Sequence, residues 1–179
     1  MKQILIIDDE KDILKSVNAI LTEEGYKCYE ALNSKDALNI YNSQKIDLIL
    51  LDVWLEDSDH DGIEILEIIR SEHTVPIILM SGHGNIDMAV NAIKKGAQEF
   101  IEKPFSSERL VLSVNRTLEI SQITEENINL KNKELFDYQF IGSSQSILKI
   151  KQLIYKVAPT SSRVLIQGES GTGKDVVAK

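Results

Sequence analysis

Three carboxylates carry the strongest chemical signal in the sequence. Asp8 and Asp9 follow the apolar run Ile4–Ile7, and Asp52 ends a second run, Leu48–Asp52. In a parallel sheet with the first strand central, those two strand ends are neighbours. Three like charges gathered there repel one another, and at least one pKa rises unless a cation sits among them. An all-oxygen ligand set suits a hard cation that keeps several waters, which points to Mg2+. A single acid at a strand end is ordinarily a solvated loop residue; three converging on one sheet edge weaken that reading. Lys103, followed by Pro104, lies just past another apolar run, where its ammonium can neutralise an added phosphoryl group. A cis Lys103–Pro104 bond would aim the lysine back at the site; taken alone, Lys103 is a turn lysine. Ser81 opens the loop SGHGN, and its hydroxyl can bond a phosphoryl oxygen. Phe100 could be plain core.

The elements that must position these residues are legible as alternation. Five short apolar runs (Ile4–Ile7, Cys28–Leu32, Leu48–Asp52, Ile77–Met80 and Glu99–Glu102) alternate with segments of helical spacing. Ile13, Leu14, Val17, Ile20 and Leu21 form one stripe; Ile63, Leu66 and Ile69 another; Ile86, Ala89, Val90 and Ile93 a third. Gly25, Gly62 and Gly96 punctuate the joins. Strands separated by helices need crossover connections, so the sheet is expected to be parallel and covered on both faces. The predicted fold class is α/β, a doubly wound five-stranded parallel sheet with its site beyond the carboxyl ends of the strands.

From Ser106 a helix is expected, with Leu110, Val114 and Leu118 on one face. It runs into a polar stretch whose apolar residues, Ile120, Ile123, Ile128, Leu130 and Leu135, sustain no heptads. That stretch reads either as a partly helical linker packed on a dimer partner or as a frayed, solvated one. Residues 144–157 read as a helix bearing Ile147, Ile150, Leu153, Ile154 and Val157, broken by Pro159. Arg163–Gln167 reads as a strand leading into GESGTGKD, that is Gly168, Glu169, Ser170, Gly171, Thr172, Gly173, Lys174 and Asp175. This fits the phosphate-loop pattern except at Asp175, where Ser or Thr normally supplies a Mg2+ ligand. The glycines let backbone amides surround phosphates, and Lys174 would reach the terminal ones.

Composition narrows the alternatives. No apolar run is long enough to span a bilayer, and the short apolar segment at the N-terminus lacks the features of a signal peptide. One cysteine, Cys28, cannot form an internal disulfide, which agrees with a cytoplasmic location and a core role for the thiol. The net charge is −8, unevenly spread: residues 139–179 carry six Lys/Arg against two Asp/Glu, so the acidity lies in residues 1–138. Neither a basic stripe nor a helix-turn-helix is present, so direct DNA binding by these residues is not expected. His60, His73 and His83 form no metal-ligand spacing and read as surface or loop residues.

IIDDE, LLDVWL, the Asp61–Gly62 pair, MSGHG and FIEKPF, in this order, resemble the receiver domain of two-component response regulators, flavodoxin-like and CheY-like in fold, over residues 1–120. The resemblance implies that Asp52 accepts a phosphoryl group from a sensor histidine kinase. It also implies that Asp9 binds Mg2+ directly and Asp8 through water, with the Trp54 backbone carbonyl completing the protein ligands. Lys103 then contacts the phosphoryl group, and Ser81 and Phe100 are the coupled switch pair. A homodimer through the fourth helix, fifth strand and fifth helix is expected.

The stretch DVWLEDSDHDG departs from the usual pattern. It is about two residues longer, lacks the common proline after Leu55, and carries Glu56, Asp57, Asp59 and Asp61. It reads as a solvated acidic loop, with modulation of metal access or kinase recognition as the sharper alternative. This loop, SGHGNIDMAVNAIKKGA and FIEKPF are most similar to the NtrX branch of the NtrC family. Residues 139–179 resemble the start of the AAA+ domain of NtrC-type activators, in which an acidic residue, normally Glu, occupies the position of Asp175. A linker is then expected over 121–138.

The resemblance implies transcriptional output at sigma-N promoters, with RNA polymerase and the nitrogen-type sigma factor as partners of a full-length protein. About forty residues cannot bury a nucleotide-binding core. The chain therefore reads as a fragment, an engineered piece or a truncated gene product, and ATP hydrolysis is not expected of it. The alternative is a truncated receiver acting as an interaction module or phosphate sink.

Overall fold

The computed structural model describes residues 1–179 except 57, 73, 83–85, 138–141, 161–162 and 179, together with the side chains of 72 and 129–137. The expected alternation is present. β1 (Gln3–Ile7), α1 (Lys11–Glu23), β2 (Lys27–Ala31), α2 (Ser34–Ser43), β3 (Leu48–Asp52), α3 (Gly62–Glu72), β4 (Ile77–Ser81), α4 (Ile86–Lys94), β5 (Glu99–Glu102) and α5 (Ser107–Asp137) follow in order. The strands form one sheet, ordered β2-β1-β3-β4-β5, with every pairing parallel. β3, not β1, is central; β1 lies beside it, which suffices to bring Asp8 next to Asp52.

Strands buried on both faces must be apolar at every position, and β3 and β4 are buried throughout. Alternation then sends successive side chains into two cores. Leu5, Ile7, Ile49, Leu51, Ile77 and Leu79 pack under Ala37 of α2, Ile65, Leu66 and Ile69 of α3, and Ala92 of α4. Ile4, Ile6, Leu48, Leu50, Ile78, Met80 and Ile101 face Leu14, Val17 and Leu21 of α1 and Leu110, Val114 and Leu118 of α5. Each fully buried Leu or Ile contributes about 2 kcal/mol relative to exposure. Cys28 is half-buried against the second core, and burial pushes its thiol pKa up.

One helix went unread and two local readings change. α2 carries no stripe named from the sequence; the Asn33 side chain starts it by accepting from the Asp36 amide at 2.9 Å. The α4 stripe faces the other way: Ile86, Val90 and Ile93 are exposed, and Ala92 is the buried contact. Arg163–Gln167 is irregular rather than a strand, because among the described residues no other chain segment pairs with it.

The chain divides into two compact units, Met1–Thr124 and Glu125–Lys179, with the boundary inside α5. In the second, Ser144 caps α6 (Gln145–Val157) by accepting from the Ile147 amide, and α7 (Lys174–Ala178) follows the glycine-rich loop. No described residue of this unit is buried. Among the described residues no helix is long and apolar enough to cross a membrane.

Candidate functional site

Asp52 ends β3 on the same face as Leu48 and Leu50. Asp8 and Lys103 continue the same alternation just past β1 and β5. The three side chains meet there. Lys103 Nζ donates to Asp8 Oδ2 at 2.7 Å and lies 2.9 Å from Asp52 Oδ1. Asp8 is fully buried, and its Oδ1 accepts from the Glu10 amide at 3.0 Å. Asp52 Oδ2 accepts from the Trp54 amide at 3.1 Å. The Lys103 ammonium is close enough to Asp52 Oδ1 to pair with its charge and donate to it, and that buried oxygen has no other partner among the described residues. The Lys103–Pro104 peptide is cis.

Asp9 and Trp54 line the adjoining cleft of about 500 Å³, together with Asp52, Glu56, Gly82 and Lys103. Asp9 Oδ2 accepts from the Glu56 amide at 3.3 Å. Gly62 sits against the backbone of Asp52: a Cβ there would lie 2.0 Å from the Asp52 carbonyl oxygen. The Gly62 amide donates to the Val53 carbonyl at 2.9 Å, so the chain leaves and returns at one point. Gly62 is visible in the sequence as a punctuating glycine and as half of the Asp61–Gly62 pair, but its approach to the Asp52 backbone is not. The Glu56 amide has no sequence signal at all, because main-chain direction in a loop leaves no mark on residue type.

Burial raises the Asp52 pKa from 3.8 to about 6, against the lowering effect of Lys103 and the Trp54 amide and with a further push from Asp8. Burial works against the charge on Lys103, yet Asp52 and Asp8 outweigh it and hold its pKa above the ordinary value. Among the described residues no three carboxylate, imidazole or thiol groups close on one point, so the cleft is not a ready-made cage. Mg2+ does not require one, since it keeps several waters and binds through one or two carboxylates. The Asp9 and Asp52 carboxylates in the lining, with Asp52 Oδ1 bound to nothing but Lys103 among the described residues, fit that ion.

Ser81 is fully buried at the end of β4, and its carbonyl accepts from the Lys103 amide at 2.8 Å. Phe100, half-buried, pairs with Leu79 and packs in the first core, which puts it on the sheet face shared by Leu79 and Ser81. His60 lies 3.5 Å from Glu64 at the surface; His73, His83 and Asp57 fall outside the described residues. In the second unit Gly171 and Gly173 take φ of +82° and +78°. Lys174 Nζ donates to the carbonyls of Gly168 at 2.7 Å and Glu169 at 2.6 Å, and Thr172 Oγ1 donates to the Glu169 carbonyl at 2.7 Å.

A five-stranded parallel sheet with an acidic cleft at its carboxyl edge is the architecture of a receiver. Residues 4–115 match the response regulator receiver domain, and the chain belongs to that family. Residues 140–179 match the sigma-54 interaction domain. Within the response regulators the chain is similar to NtrX proteins. It is 43% identical over 98% of its length to the putative response regulator NtrX-like of Rickettsia bellii, covering 37% of that protein. It is 44% identical over 98% of its length to the nitrogen assimilation regulatory protein NtrX of Azorhizobium caulinodans, covering 39%. The crystal structure of NtrX from Brucella abortus in complex with ADP superposes with a TM-score of 0.70 at 41% identity, over 99% of this chain and 39% of that one. The chain thus spans under two fifths of the length of these relatives.

Proposed function

We propose that this chain is a phosphorylation-controlled response regulator whose phosphoacceptor is Asp52. The observation that carries the reading is the Asp52 carboxylate, buried at the strand end with its Oδ1 2.9 Å from the Lys103 ammonium and with no other partner among the described residues. Such an oxygen is an available nucleophile with its counter-charge already in place. The donor is a sensor histidine kinase. A P–O bond forms to Asp52 as the donor's P–N bond breaks, and the electron pair returns to the imidazole nitrogen.

Asp8, Asp9, Asp52 and the Trp54 carbonyl would hold Mg2+. The ion supplies counter-charge to the carboxylates and to the phosphoryl oxygens. Lys103 neutralises charge on the transferred group from the other side. The Ser81 hydroxyl gains a phosphoryl acceptor, and Phe100, on the same sheet face, turns inward as Ser81 moves. The exposed α4 side chains Ile86, Val90 and Ile93 suit a homodimer through α4, β5 and α5.

Residues 1–120 are then the receiver, 121–138 a helical linker and 139–179 the beginning of a sigma-factor interaction domain. In a full-length protein, ATP would bind at Gly168–Asp175, and the output would be transcription with nitrogen-type sigma factor. Treatment with a small phosphodonor and Mg2+, read by intact mass, is expected to add one phosphoryl group. Addition is expected to vanish in Asp52→Ala and to fall sharply without Mg2+. Addition that persists in Asp52→Ala overturns the assignment.

A further inference from the structure

Residues 53–61 join β3 to α3 and are tied down at three places. At the base, the Gly62 amide donates to the Val53 carbonyl. Where α3 begins, the Glu64 amide donates to Asp61 Oδ1 at 2.8 Å and the Asp61 amide to Glu64 Oε2 at 3.1 Å, a reciprocal cap. At the tip, the Ser58 hydroxyl accepts from the Ser34 amide at 2.9 Å, and Ser34 is itself buried in the first turn of α2. Between these ties Leu55 is buried in the first core, and the amides on either side of it serve the cleft. The Trp54 amide donates to Asp52 Oδ2, and the Glu56 amide donates to Asp9 Oδ2 at 3.3 Å.

We infer that Glu56 is a positioning residue: its main-chain amide, steadied by the Ser58–Ser34 tie, orients the Asp9 carboxylate toward a divalent cation. The inference rests on the Mg2+ reading of the site given above. A carboxylate has about four lone-pair sites, so Asp9 accepts this amide and still serves a cation. A second partner on a ligating carboxylate fixes its direction and typically changes metal affinity by about tenfold or more. The active part of Glu56 is the N–H, not the exposed side chain. Proline is the one substitution that deletes this donor while keeping the loop length.

The test is a Mg2+ titration of the metal-free protein, followed by calorimetry and by the fluorescence of Trp54, the sole tryptophan and part of the cleft lining. Glu56→Pro is expected to raise the Mg2+ dissociation constant about tenfold. Glu56→Ala keeps the amide, removes the carboxylate, and is expected to stay within about twofold of the unchanged protein. Equal weakening in both variants assigns the effect to charge and overturns the inference, as does an unweakened Glu56→Pro. Where Glu56→Pro shows no cooperative thermal transition, Ser58→Ala decides. A rise of about threefold supports the inference, and an unchanged constant overturns it. Absence of any Mg2+ response in the unchanged protein removes the cation reading itself and this inference with it.

Discussion

In residues 1–124, Lys103 reaches carboxylates delivered by the ends of β1 and β3, whereas in residues 125–179 Lys174 donates to two carbonyls of its own loop. The first arrangement brings together residues almost a hundred positions apart and stands on a sheet with a core on each face. The second is contained in eight consecutive residues and involves no buried side chain. A site assembled over long range inherits the cooperativity of its fold, so damage to the core is damage to the site. A local loop keeps its shape through glycine dihedrals and its own hydrogen bonds.

The most severe way to probe this contrast is Gly62→Ala. Its Cβ would meet the Asp52 carbonyl at 2.0 Å, and backbone cannot rotate away as a side chain can. A loss of about 4 kcal/mol or more in receiver unfolding is expected. Gly168→Ala crowds the Thr172 hydroxyl at 2.9 Å, with the Lys174 stem at ordinary contact distance, and should leave that transition in place. Chemical denaturation of both variants gives the comparison; similar losses would erase it.

Next in size is Leu50→Ala, which empties a fully buried position between α1 and α5 and is expected to cost about 3 kcal/mol. Leu153→Ala, at a side chain 61% exposed, should change stability by about 0.5 kcal/mol at most.

A smaller effect than that of Leu50→Ala concerns the site itself. The folded pKa of Asp52, about 6, lies above its ordinary 3.8, so the native state holds that proton more tightly. The resulting stability is complete below pH 4 and is lost as pH rises through 6. In metal-free protein at pH 7, Asp52→Asn is therefore expected to stabilise by about 2 kcal/mol and to flatten the profile between pH 4 and 7. An Asn variant that keeps the parent's slope would place the titration elsewhere.

The sheet was readable because strands buried on both faces must be apolar throughout, as β3 nearly is; β5, at the sheet's edge with only Ile101 buried, also has the bounds its run suggests. Asp8, Asp52 and Lys103 were readable for a related reason: charged residues directly after such runs can only sit at the sheet's edge. Helix orientation was less legible. Ile86, Val90 and Ile93 have ideal spacing for burial, yet α4 packs through Ala92, with Met88 against the same core. Asn33 starting α2 was available as a capping signal beside a weak apolar stripe. The Glu56–Asp9 and Ser58–Ser34 bonds were out of reach, since each uses a main-chain amide whose direction depends on the whole loop.

The clasp between the Val53 carbonyl and the Gly62 amide has a mechanical consequence. Because the two feet of the segment are joined backbone to backbone, side-chain substitutions between them leave that closure in place, and the end of β3 stays where the sheet puts it.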